Sequence, residues 1–135
     1  MFTQKCFIRK NTPEIVKRLE ELGYKASFSA RNGYGEYLYA FNGAIVGGEY
    51  NAYNEKAGFI DCVTNEELFL AIAALRDDSD IHQWFIHDDS DWHNDQNIFW
   101  HKCESESIKI DMAFNIMYSD CRKATVEELI EHFKP

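Results

Sequence analysis

The side chains best suited to chemistry crowd into one stretch of the chain. Four of the five histidines fall between positions 82 and 101, interleaved with acids in the run His87-Asp88-Asp89-Ser90-Asp91-Trp92-His93-Asn94-Asp95 and followed by His101 and Cys103. Imidazole suits zinc, nickel or iron(II) and carboxylate suits harder ions, so Asp89, Asp91, His93, Asp95 and His101 form a candidate set for a divalent metal. The acids from Asp89 to Asp95 do not make an EF-hand, because its turn glycine and its terminal bidentate glutamate are both missing. There is also no H-E-x-x-H pair, no nucleophile elbow and no glycine-rich phosphate loop. In an extended segment His82 and His87 are an odd number apart and face opposite sides of a sheet, so at most one of them joins a site on the loop side. A solvated acidic hairpin tip is the simpler reading. The sequence leans against an enzyme, and no cofactor other than a divalent metal is expected.

Aromatic residues are the second resource. They make up 15% of the chain, and Tyr34, Tyr37, Tyr39, Tyr50 and Tyr53 lie close together in it. Tyr37, Tyr39 and Phe41 share one face of a strand, where they either pack into the core or floor a small-ligand pocket. Tyr34, Tyr50 and Tyr53, flanked by glycine and asparagine, are expected at the surface. Trp92 stands among aspartates, and an exposed ring beside acids suits the basic, apolar surface of another protein.

Charge narrows the partners. The net charge is −9, and residues 1–60 carry eight Lys/Arg against six Asp/Glu whereas residues 61–135 carry six against seventeen. An acidic second half repels phosphate backbones, which proteins bind through clustered Lys and Arg, so direct nucleic-acid binding is not expected. A chain of 135 residues can bury a core without staples, and Cys6, Cys62, Cys103 and Cys121 show no C-x-x-C pairing. They read as free thiols in a cytoplasmic protein, with Cys6 and Cys62 as small buried hydrophobes. The longest apolar run, Leu68 to Leu75, is too short to span a bilayer, and no signal-peptide h-region opens the chain.

Capping chemistry places the elements that would position these residues. A strand over Lys5–Arg9 leads to a helix with Thr12 as N-cap, Pro13 in its first turn and Gly23 at its end. Strict alternation from Tyr24 to Arg31 predicts a strand with Lys25, Ser27 and Ser29 facing water or an interface. Glu36–Phe41 and Ala44–Val46 form a hairpin around Asn42-Gly43, a polar stretch follows over 47–58, and Phe59–Val63 is a further strand. Thr64 to Glu67 reads as a capping box for a helix over Glu66–Arg76 that is apolar on every side and must be covered all round. Strands are expected at His82–His87, Asn97–Lys102 and Ser107–Phe114. Thr125 and Glu128 cap a terminal helix with the stripe Val126, Leu129, Ile130 and Phe133. The shared T-x-E-E-L starts after Asp61-Cys62 and Asp120-Cys121 suggest a faint duplication, which common capping chemistry explains as well.

The segment from Thr64 through Leu68 to Asp78, continuing to Gln83-Trp84-Phe85, resembles small uncharacterised proteins encoded by gut bacteria and their mobile elements. The resemblance implies an origin among phage or prophage accessory genes and carries no residue of known role.

These readings converge on a single α+β domain over residues 1–135: a largely antiparallel, twisted sheet of six to eight strands with three helices packed on one face. The expected function is that of a nonenzymatic interaction or accessory factor, its acidic surface meeting a basic protein partner through Tyr34, Tyr50, Tyr53, Trp92, Asp89, Asp91 and Asp95. A metal-binding protein or metal-dependent enzyme, a small-ligand binder and a homo-oligomer are the other readings.

Overall fold

Local physics sets the first elements as the sequence requires. In the computed structural model, which describes residues 1–88, 98–103 and 121–134, strand β1 (Cys6–Ile8) is followed by helix α1 (Pro13–Leu22). The Thr12 hydroxyl accepts the Ile15 N–H, and Gly23 ends the helix in the left-handed conformation at φ 114°. Ile15, Val16 and Leu19 form its buried stripe. Strands β3 (Tyr37–Phe41) and β4 (Ala44–Gly48) make the expected hairpin, with Asn42 at φ 51° and Gly43 at φ 78° as a tight two-residue turn needs.

The alternating segment after α1 is not one strand. Only β2 (Lys25–Ala26) pairs, in parallel with Ala44 and Ile45 of β4, and Phe28–Arg31 then form the short helix α2. The Ser27 hydroxyl caps α2 by accepting the Ala30 N–H, while the Ser29 hydroxyl accepts the Gly47 N–H at 3.0 Å. Both serines thus bind backbone that a strand would have placed elsewhere. The water-facing row of Lys25, Ser27 and Ser29 on a sheet does not exist.

The polar stretch after the hairpin contains helix α3 (Ala52–Lys56), and β5 is only Ile60–Asp61. The longer strand expected to Val63 stops because Val63 is left-handed, φ 54°, where a β-branched residue is strained. The Asp61 carboxylate accepts the Val63 N–H at 2.9 Å and also pairs with Arg9, which holds the turn.

Helix α4 (Glu66–Ala73) is covered on all sides, every residue from Leu68 to Ala74 being buried. It ends before the expected Arg76, and its N-cap is Asn65 rather than Thr64. Asn65 wins because its amide serves two helices: Oδ1 accepts the Leu68 N–H at 3.1 Å, and Nδ2 donates to the Phe133 carbonyl at 2.7 Å. Helix α5 (Val126–His132) has the capping box of Thr125 and Glu128 intact. The two T-x-E-E-L starts therefore sit one residue out of register, which weakens the case for duplication. Of the α5 stripe, Leu129 is buried and Val126 and Phe133 are partly covered, but Ile130 is exposed.

The strands divide between two sheets, not the single sheet expected. One has the order β2-β4-β3-β1-β5 and mixes parallel with antiparallel pairs; the other, β7-β6-β8, is antiparallel and comprises β6 (Trp84–Asp88), β7 (Ile98–Lys102) and β8 (Cys121–Lys123). The fold is α+β as expected, but the helices do not all share one sheet face. Cys6, Ile8, Leu38, Ala40 and Ile45 meet α1 and α4 in the main core, while α5 packs on α4 and on the tryptophans of the second sheet. The strand expected at Ser107–Phe114 lies outside the described residues. No described helix is long and apolar enough to cross a membrane.

Candidate binding surfaces on the two sheets

Because side chains alternate along a strand, the five-stranded sheet has a second face, and its residues are aromatic. The register sets Phe7 opposite Tyr39 and Tyr39 opposite Val46. Phe7 stacks on Tyr39 at 5.3 Å and leans on Tyr37 at 6.2 Å; Phe59 meets Tyr39 edge-on at 5.9 Å and Phe41 at 5.4 Å. Phe7 and Tyr39 are buried, whereas Tyr37, Phe41 and Phe59 are partly open. The cover on this face is α3 with its flanking loop, tied down by the Tyr39 hydroxyl donating to the Glu49 carbonyl at 2.7 Å. Burial raises the Tyr39 phenol above its ordinary value, opposed by hydrogen bonds from Asn54 and Asn51.

One short helix cannot seal a layer of rings. A cleft of about 520 Å³ remains, floored by Tyr39, Phe41 and Phe59 and edged by Asn42, Asn51 and Asn54, with Lys5 and Glu49 at the rim. The Lys5 ammonium donates to the Ala57 carbonyl at 3.3 Å and lies 5.7 Å from the Phe59 ring centre. Phe41 was legible as a strand-face aromatic; Asn51 and Asn54 were not legible as its rim, because the polar stretch shows no periodicity that would fold it back over the sheet.

At the end of this sheet Tyr34 and Tyr50 are exposed, as the glycine and asparagine around them predict. Tyr50 leans on Tyr37 at 6.1 Å, and Tyr34 on the exposed Phe28 at 5.9 Å. Gly35 lets Tyr34 sit there: at φ 80° a Cβ on it would come within 2.2 Å of the Gly48 carbonyl oxygen. Tyr53 falls in α3, and its side chain is outside what is described.

The second sheet and α5 enclose a groove of about 490 Å³. Ile86 and Trp100 line its base, Trp100 stacks on His132 at 3.9 Å, and Glu127 and Glu131 edge it from α5. Arg122 and Glu128 close one side with two hydrogen bonds of 2.6 Å. That guanidinium, with help from the Thr125 N–H, holds the Glu128 carboxyl down to about 2. Glu131 reaches Lys134 at 3.4 Å in solvent, and Glu127 has no ion-pair partner among the described residues. The signal that could have found this surface is the i, i+4 pair Glu127 and Glu131 beside the apolar stripe of the terminal helix, a pair not singled out from the sequence.

A smaller cavity of about 240 Å³ lies between helices α1 and α4 and the second sheet, among Arg18, Glu21, Glu67, His82, Trp84 and Lys102, where Arg18 binds Glu67 at 3.3 Å. His82 is not in a strand; it turns the chain at φ 69°, its N–H bonded to the Cys103 carbonyl at 2.6 Å. His101 lies on β7 opposite Phe85, on the sheet face away from Trp100. Asp89, Asp91, Trp92, His93 and Asp95 lie outside the described residues, and among the described residues no three His, Cys, Asp or Glu side chains gather as metal ligands.

The cysteines are less scattered than their spacing suggests. Cys6 on β1 and Cys62, just past the end of the parallel strand β5, are both buried, and burial together with the adjacent Cys62 thiol pushes the Cys6 thiol well up. Cys6, Cys62 and Cys103 are free thiols. The fold and its surfaces define an α+β protein with an aromatic cleft on one sheet and an acidic groove on the other. Neither a family model, nor a curated protein, nor a solved structure matches the chain.

Proposed function

We propose that the protein is a nonenzymatic interaction factor whose acidic groove takes a basic, apolar segment of a partner protein. The carrying observation is the groove itself: Ile86 and Trp100 offer an apolar base, and Glu127, Glu128 and Glu131 outnumber Arg122 around it. Because Arg122 is spent on Glu128 and Lys134 meets Glu131 only in solvent, Glu127 and Glu131 can still receive an incoming Lys or Arg. Its alkyl stem would lie along Trp100 while its head reaches Glu127 or Glu131. Charge complementarity of this kind steers association and weakens with salt. The acidic composition of the second half of the chain extends the same field around the groove. The exposed rings of Phe28, Tyr34 and Tyr50 give a partner a second foothold.

The test compares two charge-matched variants for binding an amphipathic Lys/Leu peptide, followed by tryptophan fluorescence and calorimetry. Glu127→Gln/Glu131→Gln should weaken binding about three- to tenfold, roughly 0.7–1.4 kcal/mol, whereas Glu20→Gln/Glu21→Gln on α1 should change it little. Equal losses in the two would reduce the effect to net charge and overturn the groove reading. So would equal binding of the Glu/Leu counterpart of the peptide.

A further inference from the structure

We infer that the cleft on the aromatic face of the five-stranded sheet is a binding site for a neutral polyhydroxylated ligand of the saccharide class. The site is separate from the acidic groove and does not depend on it. Its volume of about 520 Å³ lies within the range of small-molecule sites, roughly 300–1,000 Å³. Three features of its lining select the ligand.

The first is the floor. Tyr39, Phe41 and Phe59 bring π faces and edges into the cleft. Every ring carbon of a sugar carries oxygen, so its C–H groups are electron-poor and are attracted to the electron-rich face of an aromatic ring. The second is the rim. Asn42, Asn51 and Asn54 each present both a donor and an acceptor, which is what a hydroxyl also presents. A flat hydrocarbon or heteroaromatic ligand would satisfy the floor and make little use of this hydrogen-bonding rim. The third is charge. Among the described lining residues the ionic groups are Lys5 and Glu49, which offset each other in a protein of net charge −9. Lys5 is already engaged by the Ala57 carbonyl and the Phe59 ring. Neither sign of ligand charge has an unopposed counterpart here.

The site is also held ready. The Tyr39 hydroxyl anchors Glu49, and the Phe59 N–H donates to the Asn54 carbonyl at 3.0 Å, so the rim is fixed to the floor at two points.

The experiment is an amide NMR titration of the full chain with glucose and cellobiose, alongside glucuronate, glucosamine and indole as negative, positive and flat aromatic controls. Saturable shifts from a neutral saccharide below about 100 mM, centred on the side-chain amides of Asn51 and Asn54, are expected. Phe41→Ala should weaken binding at least about tenfold. Asn51→Ala, on the exposed rim, tests the same site where Phe41→Ala perturbs the sheet. Glu127→Gln/Glu131→Gln should bind the saccharide like the parent, which separates this site from the groove. No saturable shift from either neutral saccharide overturns the proposal, as does tighter binding of any control or unchanged affinity in Asn51→Ala.

Discussion

The two faces of the five-stranded sheet show how residue shape decides between a core and a site. One face presents Cys6, Ile8, Leu38, Ala40 and Ile45, small or branched aliphatic surfaces, to α1 and α4, and it is sealed. The other presents Phe7, Tyr37, Tyr39 and Phe41, rings that stack on one another, under a helix of five residues. Aliphatic side chains interlock with the ridges of a long helix and leave no gap. Rings standing on a sheet satisfy much of their contact among themselves, so a short cover suffices to hold them and leaves a cleft open.

Truncation should separate the faces most sharply. Ile72, fully buried on α4 against the aliphatic face, should cost about 2–5 kcal/mol as Ile72→Ala. Phe41→Ala, at the half-open edge of the aromatic face, should cost about half of the roughly 3–5 kcal/mol of a fully buried ring. Denaturant melts of both variants would erase the distinction if the losses came out equal.

Thiol reactivity probes the sealed face directly. Cys6 and Cys62 are at most 1% exposed, and burial keeps the Cys6 thiol protonated. Their alkylation by iodoacetamide in the native protein should therefore run at least about a hundredfold slower than in denaturant, limited by opening of the core. Fast native labelling of either would mean that β1 and β5 are loosely held.

Each face also has a tyrosine hydroxyl on a backbone carbonyl at 2.7 Å: Tyr24 on Ala73 at the end of α4, and Tyr39 on Glu49. Tyr24→Phe leaves a buried carbonyl unpaired and should cost about 1–3 kcal/mol, whereas the Glu49 carbonyl can turn to water and Tyr39→Phe should cost about 0.5–1.5 kcal/mol. Reversal of that order in thermal melts would show the loop to be as sealed as the core.

The smallest effect belongs to the groove. Arg122 lowers the Glu128 carboxyl from its ordinary 4.5 to about 2. A carboxyl lowered by folding stabilises the folded state above pH 4.5 and loses that contribution as the pH falls toward 2. The arginine side chain is 57% exposed, so solvent screening limits the pair to about 0.2–1 kcal/mol. Glu128→Gln should flatten the stability-pH curve in that window, and a curve parallel to the parent would show that the pair contributes nothing.

Read from the residues alone, α1, the Asn42-Gly43 hairpin, the start of α5 and the all-round burial of α4 come out as the structure has them. Each rests on interactions within a few residues: a hydroxyl reaching an N–H three positions on, a left-handed turn that asparagine and glycine tolerate, an apolar helix with no wet side. The exposure of Tyr34 and Tyr50 belongs with these, since their glycine and asparagine neighbours announce a turn. Tertiary structure decided the rest. Period-two alternation from Tyr24 to Arg31 fitted a strand until Ser27 and Ser29 found backbone partners in α2 and β4. Thr64 was the expected cap, and Asn65 took its place because the Asn65 amide also reaches Phe133, 68 residues away. The division of the strands into two sheets, the meeting of Cys6 with Cys62, and both the cleft and the groove depend on contacts between segments far apart in the chain. Local propensity carries no information about such contacts, because their energies exist only once the chain has closed on itself.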